Sequence, residues 1–209
     1  MIKAVLFDVD GVLLDSFEAN FAYYSELLQR VGYPPPTKEE FTLAMHFTLK
    51  DTIQALTHSS SDGEIKRIAD IGKDSFEEFY QFDLLTMPQS AEKTIEELHK
   101  TYQLGIVTSR FKRAIYTMPQ LVKLKQCFQV AVGFEDTTNH KPDPEPLLFA
   151  CEKLQITPEE TVYVGDAQSD MLAGKAAGMK VILFAKKNFV NADAYTISFK
   201  DLPKIISSL

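Results

Sequence analysis

Five short runs of almost uninterrupted apolar residues constrain this chain more than any other feature: KAVLF at 3–7, LGIVT at 104–108, VAVG at 130–133, TVYVG at 161–165 and KVILFA at 180–185. A strand with one wet face alternates, whereas a strand covered on both faces reads apolar throughout, as in a parallel sheet between helical layers. From the second run onward, each is separated from the next by a segment of helical length with amphipathic spacing. Strands and helices in alternation predict an α/β fold built on a doubly wound parallel sheet.

The alternation fails between Ser16 and about Leu85. There Phe17, Phe21, Tyr24 and Leu28, and later Ile65, Ile68, Phe76 and Phe79, recur at helical spacing. Pro34-Pro35-Pro36 and the polar stretch 59–63 read as turns between helices. The strand pattern resumes after Met87-Pro88. The expectation is therefore a Rossmann-like core of residues 1–15 and 86–209, with an α-helical cap, residues 16–85, inserted after the first strand. The aromatic stretches FAYY (21–24) and FEEFYQF (76–82) are expected to form the cap's own core.

A net charge of −7 argues against nucleic acid or an anionic membrane as partner, so an anionic ligand has to meet cations placed locally. Cys127 and Cys151 have no partner at a metal-ligand spacing and are expected as reduced core thiols. No segment approaches a membrane span, and MIKAVLFDVD turns acidic too soon for a signal peptide, so a cytoplasmic protein is expected.

Asp8 and Asp10, in FDVDGVLLDS, stand two residues apart at the end of the first run. Extended backbone turns both to one side, crowding like charges unless a cation lies beside them. Asp166 and Asp170, in VGDAQSD, form a second acidic pair after the fourth run. Ligands of open α/β sheets bind beyond the carboxyl ends of the strands, where both pairs fall, and two acidic clusters at one sheet edge imply a divalent metal. The second run ends in Thr108 and Ser109, suited to phosphate oxygens, and NHKPDPEP offers Lys141 as a point charge ahead of a helix. Carboxylates with magnesium, a hydroxyl and a lysine make a phosphoryl-transfer site.

The pieces DVDGV, VTS, KP and GDAQSD, in this order, resemble the haloacid dehalogenase superfamily of phosphatases and phosphomutases across the whole chain. The inserted helices resemble the small cap of its phosphoglycolate-phosphatase-like and beta-phosphoglucomutase-like members. The resemblance implies that Asp8 is a nucleophile that forms an aspartyl-phosphate and Asp10 a general acid and base. It implies Asp8, Asp166 and the Asp10 carbonyl around Mg2+, with Asp170 completing the acidic set and orienting the others. Thr108, Ser109 and Lys141 would neutralise the transferring oxygens. Asp10 also favours phosphoryl transfer, because the family's dehalogenases lack an aspartate there and its phosphonate-cleaving branch carries a small apolar residue. The implied function is a magnesium-dependent phosphatase acting on a small phosphorylated metabolite, as a monomer or homodimer. A phosphomutase and a non-enzymatic phosphate-binding regulatory module are the alternatives.

Arg110 follows the second motif and reads either as a surface loop arginine or as a contact to a substrate anion. Asp15 or Ser16 is expected to cap the helix that begins near Phe17, with a hinge role for Asp15 as the alternative. His140 precedes Lys141 and reads as an ordinary loop histidine, with a role in orienting Lys141 as the alternative. Relatives with this cap often carry a glycine where His46 stands, and phosphomutases carry an arginine near Leu49 and Lys50, which weakens the mutase reading.

Overall fold

The computed structural model describes residues 1–188 and 192–209. The chain forms two compact units, Met1–Asp15 with Thr86–Leu209, and Ser16–Leu85.

The first unit is built on six parallel strands: β1 (Ala4–Phe7), β2 (Gln103–Val107), β3 (Val130–Val132), β4 (Thr161–Gly165), β5 (Lys180–Phe184) and β6 (Ala194–Thr196). They lie in the order β3-β2-β1-β4-β5-β6. Every residue of β1 and β4 is buried, which is why those segments read apolar without alternation. The chain runs outward from β1 to β2 and β3, then returns to the other side of β1 with β4. At that reversal Phe7 is in register with both Ile106 and Val164, and open α/β sheets bind their ligands at such a switch point, at the edge formed by the carboxyl ends of the strands. Leu6, Val107, Leu147, Cys151 and Tyr163 pack in one buried cluster beneath it. Both cysteines are free and buried. No helix among the described residues is long and apolar enough to cross a membrane. β6 is the element that the apolar runs do not announce: it has three residues and is partly exposed at the sheet edge.

The second unit is helical, with Phe17–Arg30, Lys38–Ala44, Leu49–Thr57, Asp62–Asp74 and Phe76–Phe79. Its polar breaks start helices. Thr37, just after the prolines, makes a reciprocal capping box with Glu40, and the Ser61 hydroxyl accepts the Glu64 amide at 3.3 Å. Rings supply the core: Phe41 meets Phe17 at 5.4 Å and Tyr24 at 5.6 Å, while Phe76 stacks on Tyr80 at 4.5 Å. The capping expected of Asp15 or Ser16 is not made. Ser16 sits at φ −117° and ψ 6° rather than in the extended conformation a cap requires, and its hydroxyl accepts the Asn20 side-chain amide at 3.2 Å. Asp15 pairs its backbone with Thr86 instead, donating at 2.8 Å and accepting at 3.3 Å. His46 lies exposed in the turn before Thr48, which caps Leu49–Thr57, and Lys50 is exposed in that helix's first turn.

Candidate active site

The Asp8 amide donates to the Val164 carbonyl at 2.9 Å, continuing the β1–β4 ladder by one residue. Asp8 therefore emerges at the carboxyl end of β1, against β4. The chain then folds tightly back, with the Leu14 amide on the Val9 carbonyl and the Gly11 amide on the Leu14 carbonyl, both at 2.9 Å. Gly11 is at φ +73°, and a Cβ on it would overlap the Asp166 carboxylate. Glycine is required twice there, for the left-handed backbone and for the close approach.

Asp170 is on the first turn of the helix Gln168–Ala176, where its Oδ2 accepts the amides of Asp166 (3.2 Å) and Ala167 (3.0 Å). Its Oδ1 accepts the Lys141 ammonium at 2.6 Å and lies 3.0 Å from the Tyr163 hydroxyl. Both oxygens of Asp170 are thus occupied by the protein itself. Carboxylate oxygens of Asp8, Asp166 and Asp170 lie within 4.8 Å of one another.

Lys141 comes from the loop before the helix Glu145–Leu154, and its side chain is only 5% exposed. That loop is held on both sides. The Glu145 carboxylate accepts the amides of Thr138 (2.9 Å) and Asn139 (2.8 Å), and the His140 ring stacks on Phe134 at 3.9 Å. Lys141 Nζ donates to Asp170 and, at 2.9 Å, to the Tyr163 hydroxyl. It lies 3.2 Å from Asp8 Oδ1, close enough for charge attraction, yet that buried oxygen accepts no hydrogen bond.

Arg110 is not a surface loop arginine. Its guanidinium spans the Asp10 carboxylate, Nε to Oδ2 at 2.6 Å and Nη2 to Oδ1 at 2.5 Å, with the arginine side chain 10% exposed. The local backbone directs it there: the Arg110 amide donates to the buried Thr108 hydroxyl at 3.3 Å, turning the chain directly after β2. Ser109 is half-buried between them.

These charges are far from balanced. Four carboxylates, Asp8, Asp10, Asp166 and Asp170, gather around the cations of Lys141 and Arg110. Burial, reinforced by Asp170 and Asp10 and opposed by Lys141, pushes the Asp8 carboxyl up to about 7. Burial, with Asp170 and Asp8 beside it, pushes Asp166 up to about 8. Burial alone would discharge Lys141, but Asp170 and Asp8 hold its ammonium above the usual lysine range. Burial and Asp170 likewise raise the Tyr163 phenol, keeping it a hydrogen-bonding hydroxyl. The donor set fits a hard divalent cation: oxygen ligands, an excess of two negative charges, and one buried carboxylate oxygen without a hydrogen bond.

The structure thus brings Asp8, Asp10, Thr108, Ser109, Arg110, Lys141, Asp166 and Asp170 to the ends of three adjacent strands. It sets Asp10 apart from the close acidic group by pairing its carboxylate with Arg110. Tyr163 was not anticipated from sequence. Within TVYVG it reads as one more apolar strand residue, although its hydroxyl joins Lys141, Asp170 and the Val107 carbonyl (3.2 Å).

Residues 5–184 match the family described as haloacid dehalogenase-like hydrolase. The chain is similar to pyrophosphatase PpaX of Bacillus cereus, with 31% identity over 100% of this chain and 98% of that protein. Among solved structures it is similar to a HAD-superfamily hydrolase, subfamily IA, from Geobacter sulfurreducens, with 28% identity, a TM-score of 0.74, and 98% and 96% of the two chains covered. It is also similar to beta-phosphoglucomutase from Clostridium difficile, with a TM-score of 0.80 over 100% and 98% of the chains; at 18% identity that likeness is one of fold alone. Matched by the family from β1 through β5, and by a relative along its whole length, this chain belongs to the haloacid dehalogenase-like hydrolases.

Proposed function

We propose that this chain is a magnesium-dependent phosphatase that hydrolyses a small phosphorylated compound through a phosphoryl-aspartate at Asp8. The single observation that carries this reading is the unbalanced carboxylate set around a buried Asp8 oxygen that accepts no hydrogen bond. Lys141, 3.2 Å away and shared with Asp170, meets part of the charge on that oxygen, and a divalent cation or an electrophile would meet the rest.

Asp8 and Asp166 would hold Mg2+ with their side chains, while Asp170, already saturated by two amides, Lys141 and Tyr163, fixes the backbone that presents Asp166. Mg2+ bound there supplies positive charge to the phosphoryl oxygens and to the Asp8 carboxylate. Asp8 attacks phosphorus, and the leaving oxygen departs with a proton from Asp10. A water then attacks the phosphoryl-aspartate, gives its proton to Asp10, and releases orthophosphate with Asp8 restored. Lys141 and the Thr108 and Ser109 groups face the equatorial oxygens, where preorganised donors act most strongly in a water-poor site. The similarity to the Bacillus cereus pyrophosphatase makes inorganic pyrophosphate the first substrate to assay, ahead of phosphoglycolate and sugar phosphates.

The test is a panel of phosphorylated metabolites assayed with Mg2+ and with chelator, on the wild type and on Asp8→Asn. Magnesium-dependent phosphate release that Asp8→Asn abolishes without unfolding the protein is expected. Turnover surviving in a cleanly purified Asp8→Asn, or phosphoryl return to a second hydroxyl instead of to water, would overturn it.

A further inference from the structure

Both oxygens of Asp10 are engaged by one guanidinium, and a bidentate arginine pair fixes a carboxylate in orientation, turned to the arginine rather than to a leaving group. Something has to draw Arg110 away before Asp10 can protonate a leaving group. Position identifies what that is. A general acid stands at the leaving oxygen, so a guanidinium in contact with both of its oxygens lies within reach of whatever is attached to that oxygen.

We propose that Arg110 is a specificity-determining residue that reads a second anionic group on the substrate, next to the transferred phosphoryl group, and that binding of this group frees Asp10. Substrates with a second phosphoryl or a carboxylate adjoining the leaving oxygen exchange one anionic partner of Arg110 for another. Substrates with an uncharged leaving group must break the Arg110–Asp10 pair and bring no anion in exchange. The proposal rests on Asp10 acting at the leaving oxygen, as in the proposed function, and it narrows the substrate class to compact dianionic or polyanionic phosphates. The chain's net charge of −7 makes this selection meaningful, because an overall negative protein does not attract a second anion and a cation placed locally has to hold it. Arg110 is such a cation, nine-tenths buried yet held by a residue the reaction itself requires to move.

The discriminating experiment is a pair of variants with opposite expected signs, read by binding. Affinities of methylenediphosphonate and of inorganic phosphate are measured by calorimetry at one fixed Mg2+ concentration. Arg110→Gln loses the reader, so the preference for the diphosphonate over phosphate is expected to fall about tenfold or more, the scale of a charge-assisted hydrogen bond. Asp10→Asn releases Arg110 from its competitor, so the same preference is expected to rise about tenfold. Taking the ratio to phosphate removes the uniform effect of deleting a negative charge.

In kinetics, Arg110→Gln should lower kcat/KM for pyrophosphate much more than for 4-nitrophenyl phosphate, and Arg110→Lys should restore part of the difference. A ratio that moves in the same direction in both variants, or equal losses of pyrophosphate and aryl phosphate turnover in Arg110→Gln, would overturn the inference. Those results would leave the phosphatase reading standing. A wild-type protein without magnesium-dependent turnover on any phosphate would remove that reading first.

Discussion

A site with more buried carboxylates than cations should destabilise its own fold as they ionise, and a divalent cation should cancel the effect. Asp8 and Asp166 start from 3.8 when solvated and rise to about 7 and about 8 in the folded chain. Between those limits the folded protein binds more protons than the unfolded one, so the derivative of unfolding free energy with pH is negative. Stability contributed by the protonated carboxyls is complete below about pH 4 and is lost as pH rises through 7 to 8. Each group can contribute at most about 1.4 kcal/mol per pH unit across its window. The two repel one another and water can relax around them, so the combined loss between pH 5 and pH 8 is expected on the order of 3 kcal/mol. For a chain of this length that corresponds to roughly 6–12 °C in Tm. Magnesium at about a hundred times its Kd returns about 2.7 kcal/mol, a gain of similar size, and it should do so at pH 8 far more than at pH 5, where protons occupy the ligands. Differential scanning calorimetry with chelator and with Mg2+, across pH 5 to 8.5, reads both effects. Asp166→Asn isolates them from every other titrating group: without metal at pH 8 it should be more stable than the wild type and should no longer respond to Mg2+. A metal-free wild type whose Tm is flat or rising over that range, or an Asp166→Asn that is less stable than wild type at pH 8, would refute the charge argument.

Asp10→Asn is expected to lower turnover on the order of a hundredfold or more while the magnesium-dependent rise in Tm persists; a loss under tenfold would reduce Asp10 to its backbone role. Gly11→Ala puts a Cβ into the Asp166 carboxylate on a backbone at φ +73°, so calorimetry should find a cost of at least about 1 kcal/mol together with a blunted response to Mg2+. Tyr163→Phe removes the hydroxyl shared by Lys141, Asp170 and the Val107 carbonyl, and urea unfolding should register a loss of about 1–2 kcal/mol. Its kcat should fall less than tenfold, because Asp170 still holds Lys141 at 2.6 Å; a larger fall would move Tyr163 into the chemistry.

What the sequence could disclose followed from which interactions are local. β1 and β4 are buried on both faces over every residue, and that condition writes itself into consecutive positions as an apolar run, so five strands and their parallel pairing were legible. β6 is partly exposed, and the run that would have announced it is missing for the same reason. The acidic pairs were legible because each is a short motif at a strand end, and the apolar runs fixed where those ends are. The partners of the acids were not. Arg110 and Asp10 stand a hundred residues apart and meet because β1 and β2 are neighbours in register, with Phe7 beside Ile106. Nothing in the local sequence of either residue distinguishes a loop arginine in water from one clasping a carboxylate. Tyr163 is hidden differently: its ring satisfies the demand for an apolar residue in β4, so the pattern that identified the strand also concealed the one hydroxyl in it that reaches Lys141. The two features that sequence left open are therefore the two that distribute charge across strands. That distribution decides where the protein cations sit: Arg110 pairs with Asp10, and Lys141 lies against both Asp170 and Asp8, which leaves the set of four carboxylates with two negative charges in excess, the charge that the proposed divalent ion would neutralise.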